Sequence, residues 1–142
     1  MRNSRSDPPE AVFEVDATRF STLEEFYAEV SRVLIPGSDW GHNLDAFNDI
    51  LRGGFGTPDG GFTLRWRDHA LSVERLGYAE TVRQLERRLA RCHPSNRASV
   101  MQDLALAERR EGPTVFDWLI EIIRRHGQGG EEATDGVVLI LA

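Results

Sequence analysis

Lysine is absent from this chain of 142 residues, and all 17 of its basic residues are arginine. The chain has one cysteine, Cys92, so it can form no internal disulfide, and this sparing use of cysteine is typical of a reducing compartment. No apolar run approaches the ~20 residues that a helix needs to cross a bilayer. The polar start, MRNSRSDPPE, lacks the apolar core of a secretory signal. We therefore expect a cytoplasmic protein that does not associate with membranes, with a disordered tail at residues 1–10.

Acidic residues are concentrated in the first part of the chain. Residues 1–60 contain five arginines and eleven acidic residues, a balance of −6, whereas residues 61–142 contain twelve of each. Binding of nucleic acid needs basic residues that displace counterions from the phosphates, so this acidic balance argues against it. The balance suits a basic protein partner, but an acidic surface also keeps proteins soluble, and charge does not decide between the two.

The segment at residues 39–52, DWGHNLDAFNDILR, has the most informative pattern in the chain. Leu44, Phe47 and Leu51 recur at helical spacing and predict the buried stripe of a short helix. Asn43 is a suitable N-cap for it, because its side chain can accept a hydrogen bond from the first turn. The pattern therefore predicts a helix whose outer face presents two carboxylates to something outside the chain. That face carries Asp45, Asn48, Asp49 and Arg52.

The residues themselves leave several interpretations of Asp45 and Asp49 open. A plain solvated face is the simplest of these. A metal site would need more oxygen ligands converging on the pair, and catalysis would need a cleft that perturbs a pKa. The adjacent Cys92 and His93 have no second pair at zinc spacing, and the glycine-rich residues 53–61 lack the Lys-Ser/Thr of a phosphate-binding loop. We therefore predict no metal, no cofactor and no catalytic residue.

The remaining patterns predict the layout of the fold. Short segments at residues 12–15, 62–67 and 137–141 predict strands. The first, Val12 to Val15, is expected to be a short buried strand, and the last is a continuous apolar run typical of a strand buried on both faces. Strand–helix–helix–strand–helices–strand predicts an α/β layer with a three-stranded parallel sheet packed with helices. Capping boxes at Thr22 or Ser21 and at Thr114 with Asp117 predict the starts of two helices. Between them, a stripe from Tyr78 to Leu89 predicts one amphipathic helix, and a second helix is expected to bury Val100, Met101 and Leu104.

The helix predicted from Tyr78 to Leu89 has an arginine-rich outer face. We expect this face to play no part in attracting a basic partner. Its arginines are Arg83, Arg87, Arg88 and Arg91.

The segment at residues 39–52 also carries a family resemblance. Residues 40–49 follow the pattern aromatic–Gly–x–Asn–Leu–Asp–Ala–x–x–Asp, which resembles the barstar family, the intracellular inhibitors of the ribonuclease barnase. FEVDATRF, FTLRWRD and GVVLILA resemble that family's strands in the same order. The resemblance implies a single barstar-like domain at residues 11–142. It leaves residues 69–112 as a helical insertion.

The function that the resemblance implies is that of a protein inhibitor or immunity protein rather than an enzyme. Its acidic helix would block the active site of a basic extracellular or toxin ribonuclease in a 1:1 complex, because a carboxylate fits an arginine fork much as a phosphate does. Carried onto this chain, the partner-binding residues are Asp39, Trp40, Asn43, Asp45, Asn48, Asp49, Gly53 and Glu121.

Two departures from the family pattern concern the target. Members of the barnase-inhibiting type have tyrosine at the position of Asp39 and tryptophan at that of Asn48. Interface energy concentrates in buried aromatics, so their absence favours a related but different ribonuclease or toxin. Two other functions stay open: a barstar-fold interaction module with a non-nuclease partner, and a small metal-dependent hydrolase that uses Asp45, Asp49 and Glu121.

Overall fold

The computed structural model describes residues 11–37, 40–52, 61–127 and 136–142. In that part of the chain, three strands form one parallel sheet in the order β1-β2-β3. Parallel neighbours need crossover connections, and helices provide them here. The predicted α/β class with a three-stranded parallel sheet is confirmed, and the predicted tail at residues 1–10 lies outside the described residues. The elements are β1 Val12–Asp16, α1 Leu23–Val33, α2 Leu44–Ile50, β2 Thr63–Arg67, α3 His69–Arg75, α4 Tyr78–Arg91, α5 Arg97–Glu108, α6 Val115–Arg125 and β3 Val138–Leu141.

The main hydrophobic core lies on one face of the sheet, under the central strand β2. Trp66 of β2 is fully buried, and the ring of Phe26 from α1 stacks on it at 5.2 Å between centroids. Phe20 and Phe116 contact the same indole edge-on. The indole N–H of Trp66 donates to the hydroxyl of Ser72 in α3 at 2.9 Å, so its polar atom is satisfied inside the core.

The second face of the sheet is partly exposed in the described part of the chain, and this corrects two predictions. Val138 and Ile140 of β3 are 37% and 44% exposed, so the expectation of a strand buried on both faces is wrong. Val12 of β1, also predicted to be buried, is 59% exposed. Glu14 of β1 forms an ion pair with Arg65 of β2 on this face, at 3.3 Å. A continuous apolar run shows that a strand tolerates burial, but not that helices cover both of its faces.

The predicted capping box of α6 is confirmed, whereas α1 has the predicted Thr22 cap but its Glu25 carboxylate accepts from Ser21 and not from the Thr22 amide. The hydroxyl of Thr22 accepts a hydrogen bond from the amide of Glu25 at 3.1 Å and begins α1. Thr114 and Asp117 form the predicted capping box at the start of α6. None of the helices in the described residues has the length and apolar composition that a membrane span requires.

A second, smaller core joins α4 to α5. Leu85 of α4 packs with Val100 and Ala107 of α5, and the half-buried Trp118 of α6 lies between this cluster and the main core. Met101, predicted to be buried, is instead 50% exposed. The prediction is wrong because α5 packs chiefly on α4, so only a narrow strip of the α5 surface is covered.

Candidate protein-binding site

The helix α2 begins where the sequence places it. The side-chain oxygen of Asn43 accepts a hydrogen bond from the amide of Ala46 at 2.8 Å, and its amide group donates to the carbonyl of Gly41 at 3.3 Å. Gly41 has a φ of 90°, a left-handed conformation that glycine adopts without strain. Asn43 is exposed, but its side chain already caps the first turn of α2. Its role in this structure is therefore to fix the residue at which the helix begins.

The inner face of α2 is anchored deep in the main core. Phe47, Ile50 and Leu51 are each at most 1% exposed, and the ring of Phe47 meets that of Phe26 edge-on at 5.4 Å. Leu44 is partly buried at the edge of the same cluster. The predicted buried stripe is confirmed, and the rotation of the helix about its axis is fixed by it.

The outer face presents the two carboxylates. Asp45 is exposed and makes no hydrogen bond or ion pair with any residue that the structure describes. Asp49 lies 3.4 Å from Arg52, but both side chains are about half exposed, and such surface pairs contribute little. Both carboxylates are therefore available to an external partner at small cost.

Trp40 supports this face from inside. It is 8% exposed, its indole N–H donates to the hydroxyl of Ser31 at 2.6 Å, and its ring packs against Tyr27 and His42. So little of the side chain is accessible that Trp40 offers a partner almost no surface in this structure. It holds the segment leading into α2 against α1.

Asn48, the remaining predicted contact on α2, is tied to the far end of the fold. Its side-chain oxygen lies 2.7 Å from Nε2 of His126, the residue that ends α6. Because that oxygen can only accept, Nε2 carries the proton in this arrangement. His126 is fully buried. Sequence reasoning missed it, because the pairing joins residues that no local pattern connects.

The other predicted contacts are spread more widely. Glu121 lies on the exposed side of α6 and faces Arg125 at 3.4 Å. Asp39 and Gly53 lie outside the described residues. Among the residues that are described, no three His, Cys, Asp or Glu side chains form a group that could hold a metal ion. Asp45, Asp49 and Glu121 are all described, so the structure does not assemble them as a ligand set.

Beside α2 lies a cleft of about 600 Å³, here called the α1–α4 cleft. Its floor is α1, one wall is the start of α2 and the other wall is α4. The lining residues are Leu23, Glu24, Tyr27, His42, Asn43, Leu44, Asp45, Gln84, Arg87, Arg88 and Arg91.

The arginines of α4 do not form the separate outer face that the sequence predicts. Arg83 and Arg87 both pair with Glu24 of α1, and Arg83 also binds the buried Glu80 of its own helix. Burial would raise the pKa of Glu24, but hydrogen bonds from Gln84 and Arg83 outweigh it and hold that pKa below its usual value. This network docks α4 on α1 and places the rest of its arginines along the cleft.

A small parallel α/β fold that carries a capped, deeply anchored helix with exposed carboxylates has the features of a protein-binding module. A family model described as "Barstar (barnase inhibitor)" matches residues 10–116, and the chain belongs to the barstar family. Members of that family are inhibitors rather than enzymes, and the match supports a barnase-inhibitor-like protein-binding role. The matched range includes residues 69–112 and ends before Glu121. No curated protein matches the chain.

Proposed function

We propose that this protein is a cytoplasmic inhibitor or immunity protein that binds a basic ribonuclease 1:1 and blocks its active site with the outer face of α2. The observation that carries the proposal is the pairing of two exposed carboxylates, Asp45 and Asp49, with an inner face that is almost completely buried. A helix held in this way presents its charges in one orientation before the partner arrives. Less conformational freedom then remains to be lost on binding.

The chemistry of the two carboxylates matches a ribonuclease active site. Such a site holds the RNA phosphate with arginine and lysine side chains, and a carboxylate can occupy an arginine fork in the same bidentate way. Inhibition then requires no reaction, only an anion that fits. The excess of negative charge in residues 1–60 would also draw a basic enzyme towards this part of the molecule.

The target we propose is related to barnase but differs from it. Asn48 occupies a position where barnase-inhibiting members have an aromatic residue, and in this chain its side chain braces α2 against His126. A short amide held in this way offers a partner less apolar surface than an aromatic ring does. The enzyme surface opposite Asn48 would therefore be more polar than that of barnase.

The test is a titration of RNA cleavage by a panel of small basic ribonucleases, with barnase as its first member. We expect at least one enzyme to lose activity linearly up to an equimolar end point. The double substitution Asp45→Asn and Asp49→Asn should abolish this inhibition. The matched control, Glu74→Asn with Glu108→Asn, removes two exposed carboxylates from α3 and α5 and should inhibit like the unchanged protein. Inhibition of no enzyme in the panel, or equal inhibition by both variants, would contradict the proposal.

A further inference from the structure

The floor of the α1–α4 cleft holds a polar group that the fold does not use. Tyr27 is 5% exposed and lines the cleft, yet its hydroxyl forms no hydrogen bond with any residue in the described ranges. Burial raises the pKa of Tyr27, so the hydroxyl keeps its proton and can donate it to an acceptor. The hydroxyl is not fully enclosed by the fold and lines the cleft, so a group that enters the cleft can accept its hydrogen bond. The cleft is the open side from which an acceptor can approach.

The α4 wall of the cleft supplies two guanidinium groups that pair with no carboxylate in the described part of the chain. Arg91 makes no ion pair or hydrogen bond with any described residue. Arg88 lies over the ring of Trp118, 5.2 Å from its centroid, and it forms no ion pair with a carboxylate of the described residues. Arg87 differs from both, because Glu24 already pairs with it at 3.2 Å.

The α2 wall carries the opposite charge. Asp45 lines the cleft and, as described above, has no partner among the described residues. Glu24 is the other carboxylate of the lining, and Arg83, Gln84 and Arg87 already bind it. The charged groups available to a ligand are therefore one carboxylate on the α2 wall and two guanidinium groups on the α4 wall.

We propose that the α1–α4 cleft receives a carboxylate side chain of the protein partner. Arg88 and Arg91 would bind this carboxylate, and the Tyr27 hydroxyl would donate to it from the floor. A neighbouring basic side chain of the partner would pair with Asp45 on the opposite wall. This inference rests on the proposed function in taking the partner to be the inhibited ribonuclease, and it adds that the recognised surface is bipolar rather than simply basic. A nucleic acid is the less suitable occupant, because Asp45 would repel its phosphates.

The first test needs no knowledge of the partner. The peptide acetyl-Glu-Gly-Arg-amide is titrated into the isotopically labelled protein, and the NMR signals of the Tyr27 amide and of the Arg88 and Arg91 side chains are followed. We expect saturable shifts that are lost with the control peptide acetyl-Gln-Gly-Arg-amide. The double substitution Arg88→Gln and Arg91→Gln should weaken binding about tenfold. Equal shifts with the two peptides would overturn the inference, and so would an RNA tetranucleotide that shifts these signals when the glutamate peptide does not.

The second test separates this inference from the proposed function. Inhibition of the responding ribonuclease is compared between the Arg88→Gln, Arg91→Gln protein and a matched control, Arg97→Gln with Arg124→Gln, which removes two exposed arginines elsewhere. We expect only the cleft variant to inhibit about tenfold less well. Equal inhibition by both variants would overturn the cleft inference and leave the proposed function standing. Peptide binding without inhibition of any ribonuclease would support the cleft and contradict the proposed function.

Tyr27→Phe provides an internal check on the geometry. The substitution removes a hydroxyl that has no hydrogen bond in the described structure, so the thermal melting temperature should stay the same or rise. Affinity for the glutamate peptide should fall. A protein that melts lower but binds the glutamate peptide as before would show that the hydroxyl serves the fold and not a ligand.

Discussion

The helices α2 and α5 both expose a polar face, but the fold supports them very differently. α2 has 7 residues and places Phe47 and Ile50 in the main core, next to the aromatic cluster around Trp66. α5 has 12 residues, yet its buried residues are Val100 and Ala107, which belong to the smaller cluster. The shorter helix is thus the more firmly anchored of the two.

The difference supports the proposal that the carboxylates on α2, rather than those on α5, bind the partner. A partner gains most from groups that are already held in place, because it then loses less freedom on binding. Asp45 and Asp49 are presented by such a helix. Asp103 and Glu108 are also exposed acids, but they lie on a helix that rests chiefly on α4. Exposure of a carboxylate is common, and what sets the α2 face apart is that the opposite face of its helix is buried in the main core.

The largest effect in this comparison is expected from Phe47→Ala. Removing a fully buried phenylalanine leaves a cavity under α2, and such substitutions destabilise proteins by about 3–5 kcal/mol. We expect a loss of this size in the free energy of unfolding measured by urea denaturation. An unchanged denaturation midpoint would mean that the helix does not bury the face described here.

Asp49→Ala should have the next largest effect, on binding rather than on folding. Truncating one member of a charge pair that becomes buried in an interface costs about 2–5 kcal/mol, since the partner's charge is left without a counterpart. The free energy of unfolding should change little, because the ion pair of Asp49 with Arg52 in the described structure is half exposed and contributes little. The measurement is the dissociation constant with the inhibited ribonuclease. Glu108→Ala on α5 is the control, and a loss of affinity as large in the control would remove the distinction between the two helices.

Local spacing in the sequence predicts the part of this site that depends on neighbours along the chain. The Asn43 cap and the buried position of Phe47 follow from separations of three and four residues, which any helix brings together. The link between Asn48 and His126 joins residues 78 apart, and the pairing of Arg83 with Glu24 spans 59. No periodicity encodes such contacts, because they depend on how whole helices dock. For the same reason the cleft beside α2 could not be predicted.

Asn48→Ala tests the brace between α2 and α6 and should have an intermediate effect. The variant would lose the hydrogen bond between Asn48 and His126, and a hydrogen bond of this kind contributes about 0.5–1.5 kcal/mol to stability. Asn48→Asp keeps an acceptor at the same place and is the matched control. We expect urea denaturation to show the loss for alanine and a smaller one for aspartate. Equal losses in the free energy of unfolding for the two variants would show that the Asn48 amide stabilises the fold through a contact other than the one with His126.

The smallest effect is expected from Met101→Ala on α5, and it completes the comparison. Met101 is 50% exposed, so its truncation removes little buried surface and creates no closed cavity. Alanine is also the better helix former by a few tenths of a kcal/mol, which offsets part of the lost contact. The free energy of unfolding should therefore change by no more than about 0.5 kcal/mol in either direction. A matched Val100→Ala variant should lose more, because Val100 is buried against Leu85 and its neighbours in the smaller cluster. If Met101→Ala destabilises the protein as strongly as Val100→Ala, the outer face of α5 is covered in solution. The two helices would then differ in what covers their outer faces, and not in how firmly each is held in the fold.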